Sequence, residues 1–404
     1  MHAQEDTACL LELLITNCSD FFCMLLRFLL TACSIQHQGL ATLLETTKYG
    51  CCDLKQALWS TQMLEDCPDK VREAHVEFMV DGGADIIIAC TYQTSLVGFA
   101  GNVAKFEQAL DTACRVGHDA IRIAQQQQQH RPILLAGSLG AYGACLENGA
   151  EYTGNYHFPV TTPEEREAAR TVLKDYHVPR MHYLQQKVDI FAAETIPVGL
   201  EGSVVSELFV ALQHPGYLVF ACRSATQLGN GDVLRHVLRH QITYSPYLLG
   251  LGINCTSIKY ITNLVTIIRE ELDIRFSEDD DGTTTGGGES RSRRPRIVVY
   301  PNSGELYCGQ QKIWVPDPDL AFEVGRPPPQ DTTKAEDANR NNDHDTTTTV
   351  DNTATRTTTT KSYSDYAVEW YTAGATVIGG CCRVTPQQIR DVKTKLKNTT
   401  IHSY

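Results

Sequence analysis

The chain has 404 residues, with 35 Lys and Arg against 48 Asp and Glu, a formal net charge of −13. That balance argues against a nucleic-acid partner, because such affinity comes from neutralising phosphates with cations. Hydrophobic residues make up 42%, enough for a sizeable core, and the lack of a tripeptide glycine period or sustained heptads excludes collagenous and coiled-coil classes.

The first 33 residues are apolar-rich from Leu10 to Cys33, but Glu12, Asp20 and Arg27 interrupt the run. No stretch of about 18 uncharged apolar residues exists, so no membrane span is expected. Glu5 and Asp6 stand where a secretory signal would carry Lys or Arg. Residues 1–33 therefore read as an extension ahead of one domain that occupies 34–404.

Within that domain, short β-branched runs alternate with amphipathic helical patterns. Strands are expected at 32–36, 85–90, 133–137, 189–194, 217–222, 248–254, 297–300 and 376–379. Helices fit between them, for instance at 69–81, 105–125, 163–186 and 257–272. Eight units in β-α order predict a parallel sheet with crossover helices. The count suggests a (β/α)₈ TIM barrel, a single α/β domain. The run Gln125 to Gln129 is expected at a helix end. Two stretches, about 277–294 and 324–362, are too rich in Thr, Gly, Asn, Asp and Pro to bury a core. They read as surface loop insertions, since core-like sequence resumes after each.

A barrel directs attention to the residues that follow each strand, where the βα loops begin. Cys255 follows the sixth run; Cys381 and Cys382 follow the eighth. Three converging thiols with one open position would suit a catalytic zinc ion. Gly379 and Gly380 remove the bulk that would keep two consecutive residues from aiming at one ion. Cys90, Cys114, Cys145 and Cys222 read instead as small apolar residues. Cys51-Cys52 has no third partner in view. Fifteen cysteines, an odd count in a long chain, do not form a small secreted disulfide scaffold. A reducing compartment, the cytoplasm, is expected.

Several blocks together resemble the homocysteine S-methyltransferase family. Gly252-Ile253-Asn254-Cys255-Thr256 and Ile378-Gly379-Gly380-Cys381-Cys382-Arg383 look like its two zinc signatures. Leu58-Trp59-Ser60, Gly83-Ala84-Asp85-Ile86-Ile87, Thr91-Tyr92-Gln93-Thr94-Ser95, Gly137-Ser138-Leu139-Gly140, Glu151-Tyr152-Thr153-Gly154-Asn155-Tyr156, Pro301-Asn302-Ser303-Gly304-Glu305 and Thr385-Pro386 agree. The resemblance runs from about Gly39 to Lys395, apart from the two insertions. It implies one Zn²⁺ per chain on Cys255, Cys381 and Cys382, and transfer of a methyl group from a sulfonium donor to L-homocysteine, giving methionine. S-methylmethionine or S-adenosylmethionine would be the donor; the sequence does not choose between them. No long oligomerisation arm follows Arg383, which sets it apart from the betaine branch and favours a monomer. Neither nucleic acid nor membrane is expected as a partner.

The chemistry explains the metal. A free thiol has a pKa of about 8.5 and is mostly protonated at neutral pH; zinc coordination removes the proton. Three thiolates and one Zn²⁺ carry net −1, so a fourth thiolate keeps its nucleophilicity. Beyond that, catalysis is largely positioning. The resemblance implies that Glu194, at the end of the fourth strand, holds the homocysteine ammonium group. Tyr92 and Gln93 could line the donor pocket or simply pack, while Asn302 and Ser303 read as loop-shaping.

Two departures stand out. The family carries Asp-Gly-Gly-Leu at the end of strand one, and here the stretch is His37-Gln38-Gly39-Leu40. The substrate-binding carboxylate is thus replaced by His37, whose neutral imidazole cannot supply the charge and whose unperturbed pKa of about 6.5 would make its role pH-dependent. Ala141 stands where proline is usual. A zinc-binding homologue without catalysis, with an interaction or metal-buffering role, is the alternative these departures raise. A nucleotide-binding dehydrogenase is disfavoured, because Gly137, Gly140 and Gly143 lack the G-x-G-x-x-G spacing.

Overall fold

A computed structural model describes residues 34–37, 40–45, 48–50, 59–127, 131–277, 293–308, 313–316 and 361–401. The 1–33 extension, Cys51-Cys52 and most of both expected insertions lie outside these residues.

The eight expected strands form a closed parallel barrel. In chain order they are β1 (Ser34–His37), β2 (Ile86–Ala89), β3 (Leu134–Gly140), β4 (Ile190–Ile196), β5 (Gly216–Phe220), β6 (Leu248–Asn254), β7 (Arg296–Tyr300) and, after a two-stranded excursion, β10 (Val377–Gly380). Ser34 of β1 pairs with Val377 and His37 with Gly380, which closes the ring. The excursion is an antiparallel hairpin, β8 (Glu305–Cys308) and β9 (Ile313–Pro316), that the sequence pattern did not indicate.

Alternation along each strand builds two cores. Ile86 and Ile88, Leu134 and Ala136, Ile190 and Ala192, Tyr217 and Val219, and Val298 and Tyr300 fill the barrel interior. Their strand neighbours Ile87, Leu135, Phe191, Leu218 and Val299 face the helical shell. A period of two places the two sets on opposite faces. One glycine fixes a tight interstrand approach: a Cβ on Gly252 would stand 1.6 Å from the Val298 carbonyl oxygen.

The shell helices named by the sequence pattern are present: Pro68–Val80, Val103–Gln127, α6 (Pro163–Leu184) and Ile258–Ser277. The five-glutamine run indeed begins at a helix end. Helix α6 starts with a capping box, in which the Thr162 side chain accepts from the Glu165 amide and Pro163 opens the first turn. Both devices satisfy or remove orphan amide donors. Helix α10 (Tyr363–Ala373) uses the same device on Ser362 and Asp365. No described helix is long and apolar enough to cross a membrane.

Candidate functional site

The loops after β6, β7 and β10 meet at the C-terminal mouth of the barrel. Successive backbone bonds stitch them together. The Cys255 amide donates to the Tyr300 carbonyl (3.2 Å), the Cys381 amide to Pro301 (2.9 Å) and the Ser303 amide to Cys382 (3.1 Å). Tyr363 of α10 donates to the Gly379 carbonyl at 2.8 Å from behind. At Gly380 a Cβ would stand 2.2 Å from Val384 Cγ1, so only glycine lets the chain turn back there. Arg383 then donates to Glu305 at 2.8 Å, tying the loop after β10 to β8.

This stitching brings Cys255, Cys381 and Cys382 together. Their sulfur atoms all lie within 4.8 Å of one another, with Cys381 and Cys382 3.8 Å apart at sulfur. Cys255 and Cys381 are buried and Cys382 half-buried. The Cys255 and Cys381 sulfurs are joined in this structure, with their Cα atoms 5.7 Å apart because the two loops flank β7 closely.

The residues present fit a cation once that bond is reduced. Three thiolates form a soft donor set that suits zinc and leaves a fourth position open. Burial pushes the Cys382 thiol up to about 12, so a thiolate there needs a positive neighbour. Asn302, between the two stitched residues Pro301 and Ser303, has a buried Oδ1 with no hydrogen-bond partner. A cation held by the three sulfurs would be that positive neighbour. Among the described residues these three cysteines are the group with metal-ligand spacing.

Glu194 stands at the inner face of β4 and is fully buried. It accepts from Ser138 Oγ and from Tyr300 Oη at 3.1 Å. Burial raises its carboxyl to about 8, although both hydroxyl bonds pull the other way. The group is therefore mostly neutral at pH 7 until a cation arrives. An α-ammonium group bound beside it would restore the ionised form and form a buried charge pair.

The next residue, Thr195, has φ +61°, and Cys255 has φ +45°. Non-glycine residues in that region cost about 1–3 kcal/mol each and persist only under external constraint. Asn254 supplies it for Thr195: its Oδ1 accepts from the Thr195 amide at 2.8 Å and its Nδ2 donates to Thr195 Oγ1 at 2.9 Å. The two strained strand ends that present Glu194 and Cys255 are thus clamped to each other.

Tyr92 and Gln93 lie in the loop after β2. A buried cation holds that loop. Arg180, on α6, donates to the carbonyls of Tyr92 (3.0 Å) and Gly140 (2.9 Å), and more weakly to Thr91 and Thr94 (both 3.4 Å). Behind it, His177 sits 2.9 Å from Glu201, which also accepts from Tyr156. The Tyr92 hydroxyl sits close to Glu194 and Thr195, and burial, with the nearby Glu151 charge next, raises its pKa far above normal. His37 lies at the end of β1, beside Gly380 in register. Ser138, Asn254, Tyr300 and Arg180 went unnoticed as site residues. The inward period of β3, β6 and β7 could have indicated the first three; nothing local marks Arg180.

A model of the homocysteine S-methyltransferase family matches residues 37–396. Homocysteine S-methyltransferase 1 of Zea mays is 28% identical over 382 residues, covering 92% of this chain and 96% of that protein. Homocysteine S-methyltransferase 3 of Zea mays is 30% identical over 372 residues, covering 89% of this chain and 88% of its own length. Among solved structures, the homocysteine methyltransferase MmuM from Escherichia coli matches at 25% identity and a TM-score of 0.64, in its metallated and its oxidized form alike. Each match covers 92% of this chain and 99% of that one.

Proposed function

Because this chain belongs to the homocysteine S-methyltransferase family, enzymes that methylate a thiol, we propose that it transfers a methyl group from a sulfonium donor, S-methylmethionine or S-adenosylmethionine, to L-homocysteine in a zinc-dependent reaction. The observation that carries this reading is the convergence of Cys255, Cys381 and Cys382 on the same barrel mouth as the buried Glu194. Cys255, Cys381 and Cys382 would hold one zinc ion, whose positive charge lets a thiol lose its proton near neutral pH.

The chain's own residues do the rest. Glu194, oriented by Ser138 and Tyr300, receives the homocysteine ammonium group. The dry mouth keeps water from competing for the methyl group. In the transfer, the homocysteine sulfur forms the new C–S bond as the donor's S–CH₃ bond breaks. That electron pair stays on the departing thioether, and the thiol proton passes to solvent water before the step. Tyr92 and Gln93 line the donor side. His37 occupies the chain position of the usual aspartate at the end of β1. A monomer in the cytoplasm suits a site that works only with its cysteines reduced.

The test is methionine formation by the reduced, zinc-loaded protein. Homocysteine is supplied with either donor in parallel, beside a Cys382→Ala control. Turnover that the control lowers at least a thousandfold supports the reading and reveals the donor. Zinc bound one per chain without turnover would instead support the non-catalytic homologue.

A further inference from the structure

The loop after β3 carries a carboxylate that the scheme above leaves unused. Glu151 sits in the one-turn helix Ala150–Thr153. Its Oε2 is buried and has no hydrogen-bond partner, and burial raises its pKa. The neighbouring ring of Tyr152 packs, as Cys382 does, against the barrel-interior cluster that includes Cys255 and Cys381. The loop is fixed from both sides: a Cβ on Gly229 would stand 2.3 Å from the Tyr152 carbonyl oxygen, and one on Gly143 would stand 2.4 Å from the Glu151 amide nitrogen. Tyr92 feels the charge of both Glu151 and Glu194. Two carboxylates, Glu194 fully buried and Glu151 half-buried with one enclosed oxygen, therefore act on one tyrosine, and the mechanism uses one of them.

The reactants supply two ammonium groups. Homocysteine has one, and a methionine-type sulfonium has another. In an in-line transfer the two carbon chains leave the S–C–S axis at different sulfur atoms. Glu194 already accepts two hydroxyls, which leaves it limited capacity for a second ammonium group. We propose that Glu151 is the residue that recognises the α-ammonium group of the methyl donor. This rests on the methyl-transfer reading. The buried orphan oxygen then gains its partner on donor binding. Sulfonium or quaternary ammonium donors without an amino group leave it unpaired and are disfavoured.

The test compares S-methylmethionine with its N-acetyl derivative on reduced, zinc-loaded wild type, Glu151→Gln and Glu151→Asp. In wild type, acetylation is expected to raise the donor KM at least tenfold. Glu151→Gln should raise the KM for S-methylmethionine at least tenfold, leave that for the N-acetyl donor within twofold, and leave the homocysteine KM within twofold. Glu151→Asp, which keeps the charge, should recover most of the preference for the free amine. An unchanged donor KM in Glu151→Gln, or an equal rise for both donors, overturns the proposal. If wild type forms no methionine, the methyl-transfer reading is what fails. Calorimetric titration of S-methylmethionine then decides the proposal: tenfold weaker binding to Glu151→Gln than to wild type supports it, and equal binding, or none to wild type, overturns it.

Discussion

Replacing Glu194 with Gln should stabilise the ligand-free protein while disabling its substrate site. Burial carries this carboxyl from an ordinary 4.5 to about 8 in the folded chain. The unfolded chain releases its proton near 4.5; the folded chain keeps it to about 8. Between those values the unfolded state binds fewer protons, so stability falls as pH rises, by about 1.4 kcal/mol per pH unit. The cumulative loss is about 3 kcal/mol at pH 7 and about 4 kcal/mol at pH 8, and it levels near about 5 kcal/mol at higher pH. Below 4.5 both states hold the proton and the cost disappears. Glutamine cannot ionise. Its oxygen can still accept from Ser138 and Tyr300, but its amide group enters a pocket with no assigned acceptor, a cost of about 1–2 kcal/mol. Glu194→Gln is therefore expected to gain about 3 kcal/mol at pH 8 and to lose about 1 kcal/mol near pH 4.5. Urea unfolding of the reduced protein across pH 4.5 to 8.5 reads both, and the change of sign is the signature. In the same variant the homocysteine KM should rise at least about a hundredfold, the value of a buried charge pair worth about 3 kcal/mol. A variant less stable than wild type at pH 8, or a stability difference that does not vary with pH, would refute the reasoning.

Other outcomes follow from the same geometry. Asn254→Ala removes both bonds that hold Thr195 in its left-handed conformation and should cost about 2–3 kcal/mol in denaturant unfolding, with a larger loss in kcat than Ser138→Ala. Arg180→Met leaves the carbonyls of Tyr92 and Gly140 without their donor; about 3 kcal/mol of stability should be lost, and the donor KM should rise more than the homocysteine KM. His37→Asp restores the family's carboxylate and should lower the homocysteine KM at pH 8 several-fold. A homocysteine KM unchanged in His37→Asp would show that this position does not touch the substrate. Cys255→Ser should lower bound zinc from one per chain to below about one tenth, read by metal analysis after dialysis.

The sequence alone determined the barrel, because its strands are buried on both faces and read as unbroken β-branched runs spaced by helix-length amphipathic patterns. It also located Cys255, Cys381, Cys382 and Glu194 at strand ends, since in a parallel barrel the chain position after a strand is already a place on the rim. What it could not contain is which residues meet across the barrel. Ser138 and Tyr300 reach Glu194 from β3 and β7, and Asn254 on β6 clamps Thr195 near the end of β4 across an intervening strand. These are contacts of high sequence separation, fixed by register and barrel curvature and by nothing local. The same holds for Arg180, which reads as an ordinary helix-surface charge until the fold buries it beneath two loops. The convergence of Cys255, Cys381 and Cys382 and the orphan oxygen of Glu151 belong to that class too. Residue type and spacing set the reactive groups on the rim; only closure of the barrel removed water from them, and that removal gives a carboxylate its raised pKa and a buried charge its need for a partner.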